Sequence, residues 1–122
     1  MSTRDGVHWY EMIAVTDTLL EQMTRKIVET VNPRQVVLFG SRARNNSRSM
    51  SDIDLLVVED EPFGVTRSRR KEMAKLWRAL SEFHVAKDIL VYASEEIERW
   101  KGSRSHVVAH ALRQGRVLYE RS

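Results

Sequence analysis

The chain contains no cysteine, only two prolines and only five glycines in 122 residues. Without cysteine there is no disulfide framework and no thiolate metal site. No apolar run approaches the roughly 20 residues needed to span a bilayer. The opening stretch Met1–Asp5 is polar and lacks the apolar core of a secretory signal. These absences predict a cytoplasmic protein with no membrane association. Internal repeats, low-complexity tracts and Pro/Gly-rich linkers are also missing. With 42% hydrophobic residues, the length suits one modest core. We therefore expect a single domain over residues 18–122, preceded by an N-terminal extension, residues 1–17. In that extension the run 7–16 (VHWYEMIAVT) fits a strand or the lead-in to a helix.

Charge of one sign is scarce as well. Twenty Lys+Arg against 17 Asp+Glu leave a net +3, too small an excess to argue for nucleic acid. Distribution says more than the total. Arg67, Arg69, Arg70 and Lys71 form a basic cluster that reads as a solvated face. Arg42, Arg44 and Arg48 instead follow Gly40-Ser41, a pair suited to phosphate.

Periodicity places the elements. Thr18 and Glu21 have capping-box spacing, and Leu20, Met23, Ile27 and Val31 recur along one helical face until Asn32-Pro33 stops it. Gln35–Phe39 is a short β-rich run ending at Gly40, and residues 41–51 are turn-like. Residues 52–58 (DIDLLVV) are apolar on both faces after their start, as in a central strand. A helix is predicted over 66–83 with Met73, Leu76, Trp77, Leu80 and Phe83 buried. A strand follows over 85–92, then a short acidic helix capped by Ser94. A helix over 105–114 is closed by Gly115, and a last strand spans 116–120. Two strands joined by a turn rather than a crossover imply a mixed sheet flanked by helices, an α/β (α+β) fold.

The chemistry concentrates in two segments. Side chains at i and i+2 of a strand share a face, so Asp52 and Asp54 project together. Like charges side by side favour a cation between them, and carboxylate oxygens suit a hard ion such as Mg²⁺. Gly40 permits a tight turn and close approach of a phosphate. Backbone N–H groups beyond it, the Ser41 hydroxyl, and Arg42 or Arg44 would complete an anion site. Asp88 opens another apolar strand, where an acid is costly unless paired, metal-bound or open to a cleft. If that strand neighbours 52–58, Asp88 completes a carboxylate trio able to bridge a metal and take a proton from an attacking hydroxyl.

Gly40-Ser41, ten residues, then Asp52-Ile53-Asp54 resembles the signature of the DNA-polymerase-β-like nucleotidyltransferases. The stretch GSRARNNSRSMSDIDLLVV is especially similar to the minimal nucleotidyltransferases called MNT proteins, and the likeness spans about residues 18–120, including the terminal GRVLYER. It implies that Gly40 and Ser41 hold a nucleoside triphosphate, that Asp52 and Asp54 bind two Mg²⁺ ions, and that Asp88 is the third catalytic acid. The implied reaction is attack of an acceptor hydroxyl on the nucleotide α-phosphate with loss of pyrophosphate. One departure is Asn45, where the family often has glycine; asparagine also tolerates a left-handed backbone.

MNT proteins commonly pair, as antitoxins, with HEPN toxins, and some transfer AMP from ATP onto the toxin. The resemblance implies such a partner here, and the small size agrees with a protein acceptor. The alternatives are a non-catalytic antitoxin acting by contact alone, or transfer to a small molecule or RNA; homo-oligomerisation stays open. His106 and His110 have a zinc-compatible i, i+4 spacing but no third ligand, which favours packing or surface roles. Arg104 with His110 imitates the RNase motif of the helical HEPN domains, an accidental match in a chain rich in strands. Trp9, Trp77 and Trp100 read as packing residues, with Trp100 also placed for a partner surface.

Overall fold

A computed structural model of the chain describes residues 17–40, 53–103 and 106–121. Helix α1, Asp17–Val31, buries Leu20, Met23 and Ile27. It starts before Thr18, so that residue lies in the first turn instead of capping it; Asp17 places its charge at the positive end of the helix. Termination follows the sequence. Asn32 adopts a left-handed φ of 47°, its amide reaches the Val28 carbonyl at 3.0 Å, and Pro33 cannot continue the ladder.

Strands β1 (Gln35–Phe39), β2 (Ile53–Glu59), β3 (Lys87–Ala93) and β4 (Arg116–Glu120) form one sheet in the order β3-β2-β1-β4. β1 pairs antiparallel with β2 and with β4, whereas β2 and β3 run parallel. The sheet is mixed as expected. β1 and β2 meet antiparallel, and the longer connection from β2 to β3 carries a helix, as a parallel pair requires. That helix is α2, Arg69–Ala79; α3 (Ser94–Trp100) and α4 (Val107–Gln114) lie between β3 and β4.

Alternation along the strands makes two cores. Leu38, Leu55, Val57, Ile89 and Val91 face α1 and α2, joining Ile27, Leu76 and Leu80. Val37, Leu56 and Val58 face the other way, onto Ala111 of α4. Gly115, just after α4, is there because a Cβ would sit 2.3 Å from the Ala111 carbonyl oxygen and 2.4 Å from a Val37 methyl.

Several local expectations are corrected. α2 is shorter than 66–83: Gly64 and Arg67 form a tight antiparallel bridge, and Ser68 then caps the helix by accepting from the Lys71 amide at 3.2 Å. Leu76 and Leu80 are fully buried, but Trp77 keeps 39% of its surface exposed. It stands one position off the apolar stripe, with the Lys87 ammonium 5.6 Å from its ring centroid. Ser94 is the first residue of α3 and not its cap. Its hydroxyl donates to the Glu59 carbonyl at 3.3 Å, while Glu96 reaches back to accept from the Ala93 amide at 2.8 Å.

The basic cluster is also only partly a solvated face. Arg70 and Lys71 are exposed, but Arg67 and Arg69 are held by acids from distant elements. Arg67 pairs with the buried Glu59, lies 3.5 Å from Glu72, and stacks over Phe63. Arg69 pairs with Glu96 and donates to the Val91 carbonyl at 2.7 Å. Burial alone would raise the Glu96 carboxyl, yet the Arg69 guanidinium and the Ala93 amide hold it below its ordinary value. Glu59 behaves oppositely. Burial, reinforced by the neighbouring Glu72 carboxyl, pushes it up to about 8 despite Arg67. One of its oxygens, Oε2, has no hydrogen-bond partner.

Candidate active site

β1 ends at Phe39, which is paired in register with Asp54 of β2. The next residue, Gly40, takes a positive φ of 79°. The reason is steric as well as conformational. A Cβ at Gly40 would lie 2.5 Å from Asp54 Oδ2, so the glycine makes room for that carboxylate where the chain turns away. The sequence reading gives this glycine a tight turn and phosphate approach, and not the room it makes for Asp54. The β1–β2 register, readable from where the two apolar runs begin and end, was the signal for its second role.

Asp54 is itself the register partner of Asp88 in the parallel β3. Partners in adjacent strands share a face and lie about 4.8 Å apart along the hydrogen-bonding direction. Both acids thus project on the α4 side of the sheet, at the end where β1 finishes and β2 and β3 begin. Asp54 is half-buried and Asp88 exposed. The condition set on Asp88 by the sequence, that its strand neighbour 52–58, is met, and its charge stays in water.

Three of the expected site residues, Gly40, Asp54 and Asp88, are therefore brought together at one corner of the sheet. Ser41, Arg42, Arg44 and Asp52 lie outside the described residues, as does Asn45. Among the described residues no group of three or more His, Cys, Asp and Glu could hold a metal ion. The pair present nevertheless has the right chemistry for one: only oxygen donors, side by side on one face, against a backbone stripped of its Cβ.

His106 and Trp100 have structural roles, while Trp9 and Arg104 lie outside the described residues. His106 caps α4, its Nδ1 accepting from the Val108 amide at 3.1 Å. Its ring stacks on Trp100 with centroids 4.2 Å apart and meets Tyr92 edge-on at 6.1 Å. One imidazole nitrogen is thereby used, and Trp100 is engaged within the fold. A groove of about 660 Å³ opens between α1 and β4, lined by apolar residues such as Leu20, Val28 and Leu118 and by charged ones such as Glu21, Arg25 and Arg116. It lies on the α1 side of the sheet, opposite the face carrying Asp54 and Asp88. Among the described residues no helix is long and apolar enough to cross a membrane.

Solved structures share this architecture. A protein from Sulfolobus solfataricus assigned as a nucleotidyltransferase superposes with a TM-score of 0.51 at 23% identity, covering 85% of this chain and 79% of that one. A toxin–antitoxin structure with AMP-PNP gives 0.51 at 22% identity, over 84% of this chain and 74% of that one. A mutant of the toxin–antitoxin MntA-HpeT gives 0.54 at 16% identity, with the same coverages of 84% and 74%. At such identities the likeness establishes the fold. No curated protein sequence matches the chain. The family model described as polymerase beta, nucleotidyltransferase, matches residues 21–122, which takes in all four strands and the three acids singled out from the sequence. Sheet order, glycine turn and paired carboxylates thus meet in one assignment: the chain belongs to the polymerase-β nucleotidyltransferase family.

Proposed function

We propose that this protein is a Mg²⁺-dependent nucleotidyltransferase that moves AMP from ATP to a hydroxyl on a partner protein, as the antitoxin of a HEPN/MNT pair. The observation that carries the proposal is the meeting of Gly40, Asp54 and Asp88, contributed by three strands, at one corner of the sheet. Support for the partner comes from the two structural neighbours that are toxin–antitoxin complexes, one of them with AMP-PNP. The nucleic-acid alternative has little support in a net charge of +3.

In this reading Ser41, the amides after Gly40, and Arg42 or Arg44 grip the triphosphate. Asp52, Asp54 and Asp88 would hold the magnesium, which when bound neutralises phosphate charge and orients the α-phosphate. Asp88, the most water-exposed acid of the described pair, takes the proton of the acceptor hydroxyl. The acceptor oxygen forms its bond to the α-phosphorus, the α–β anhydride bond breaks, and pyrophosphate departs.

The test is incubation of the protein with Mg-ATP and its toxin partner, followed by intact-protein mass spectrometry. A nucleotidyl adduct is expected with wild type and its loss with Asp54→Asn or Asp88→Asn. No adduct with wild type, together with full neutralisation by an Asp52/Asp54 double variant, would instead mean inhibition by contact alone.

A further inference from the structure

Asp88 is useful only if β3 keeps its register against β2, and the hydrophobic pattern does not secure that by itself. A one-residue slip would turn Ile89, Val91 and Ala93 out of the core and is excluded. A two-residue slip keeps every face and merely moves the acid along the strand. Within the described sheet β3 pairs with β2 alone, so no second neighbour opposes such a slide.

We propose that Lys87 is a positioning residue for Asp88, fixing how many residues the chain spends between α2 and β3. Its Nζ donates to the Phe83 carbonyl at 3.0 Å and to the Val85 carbonyl at 3.2 Å, and lies over the Trp77 ring. The main chain of the same loop folds on itself. The Phe83 amide reaches the Leu80 carbonyl at 3.0 Å and the Val85 amide reaches the Phe83 carbonyl at 2.9 Å. Leu80 is fully buried, so the loop starts from a fixed point. At its far end the Ile53 amide donates to the Ala86 carbonyl at 2.9 Å, tying the loop to the first residue of β2. Lys87 thus closes a short path from an anchored core leucine to the acid pair. It does so from the sheet face opposite the site, because Lys87 and Asp88 are consecutive strand residues.

The catalytic part of this inference rests on the nucleotidyltransferase reading, and the register part does not. The experiment uses the full chain as Lys87→Met, which keeps the aliphatic stem and loses the donors, and as Lys87→Arg, which restores them. Native-state hydrogen exchange reads β3 directly: Lys87→Met should lower protection of the β3 amides about tenfold while β1 amides hold. In nucleotide transfer, kcat should fall about 10-fold or more, because chains slipped by two residues hold the acid about 7 Å from its place. KM for ATP should stay within about twofold, and Lys87→Arg should recover most of the rate. Wild-type exchange in β3 with undiminished kcat overturns the proposal. So does a uniform loss of protection across the sheet, the mark of a merely stabilising residue. If Asp88→Asn transfers normally, the assignment of the acid fails, and the exchange result still decides the register claim.

Discussion

Replacing Gly40 by alanine tests the site with one methyl group. Two costs follow from the geometry. Alanine at a φ of 79° adopts a left-handed backbone at about 1–2 kcal/mol. The new Cβ also starts 2.5 Å from Asp54 Oδ2, closer than the 3.0 Å below which such contacts essentially do not occur. The carboxylate or the strand end must therefore move by about half an ångström or more. Backbone strain alone should lower the melting temperature by roughly 4–10 °C in a domain of this size. A shift of that size at a reacting centre should slow transfer by about tenfold or more. Thermal melts followed by circular dichroism give the first quantity and adduct formation by mass spectrometry the second. The partition is testable in an Asp54→Ala background. There the oxygen is gone and the nearest remaining Asp54 atom, Cβ, is 3.7 Å away, so only the backbone part of the stability loss should persist. A Gly40→Ala protein that melts within a degree of wild type and transfers at full rate would falsify the account of this corner.

Glu59 predicts a pH dependence. Its folded value of about 8 stands above the ordinary 4.5, so between those values the native state holds a proton that the unfolded chain has lost. Its contribution is complete below pH 4.5 and disappears as pH rises to about 8, with a slope of about 1.4 kcal/mol per pH unit at most. Glu59→Gln, a neutral mimic, should flatten that decline in urea melts taken from pH 5 to 8; an unchanged slope would contradict the assignment. His106→Ala removes the α4 cap and the stack on Trp100. A loss of about 1 kcal/mol is expected in denaturant unfolding, and an unaltered midpoint would show that the cap is dispensable.

Much of the fold was legible because its determinants are local. The strands 35–39 and 116–120 match the apolar runs bounded by Gly40 and Gly115, and the mixed sheet follows from where the sequence predicts a crossover helix and where it does not. The corner of the site was legible for the same reason. A glycine at one strand end and an acid at the start of the next strand are placed by strand length alone. Part of what escaped depends on partners far along the chain. Arg67 and Arg69 look like surface charge until Glu59 and Glu96 arrive from other elements. The 39% exposure of Trp77 reflects which side of α2 meets the sheet, and Ser94 loses its capping role because the helix already begins with it and its hydroxyl donates to the Glu59 carbonyl. The arginine pairings are not encoded by residue type or spacing.

The sheet order also decides how a reactant reaches the acids. Within the described sheet β3 is an outermost strand and Asp88 is its exposed second residue, so among the described residues this carboxylate stands on a headland. Under the proposed function, a bulky folded acceptor would present its hydroxyl by docking against the strand's flank. Selection among acceptors would be made by the contour of the whole partner, and a catalytic domain this small would need no chamber of its own.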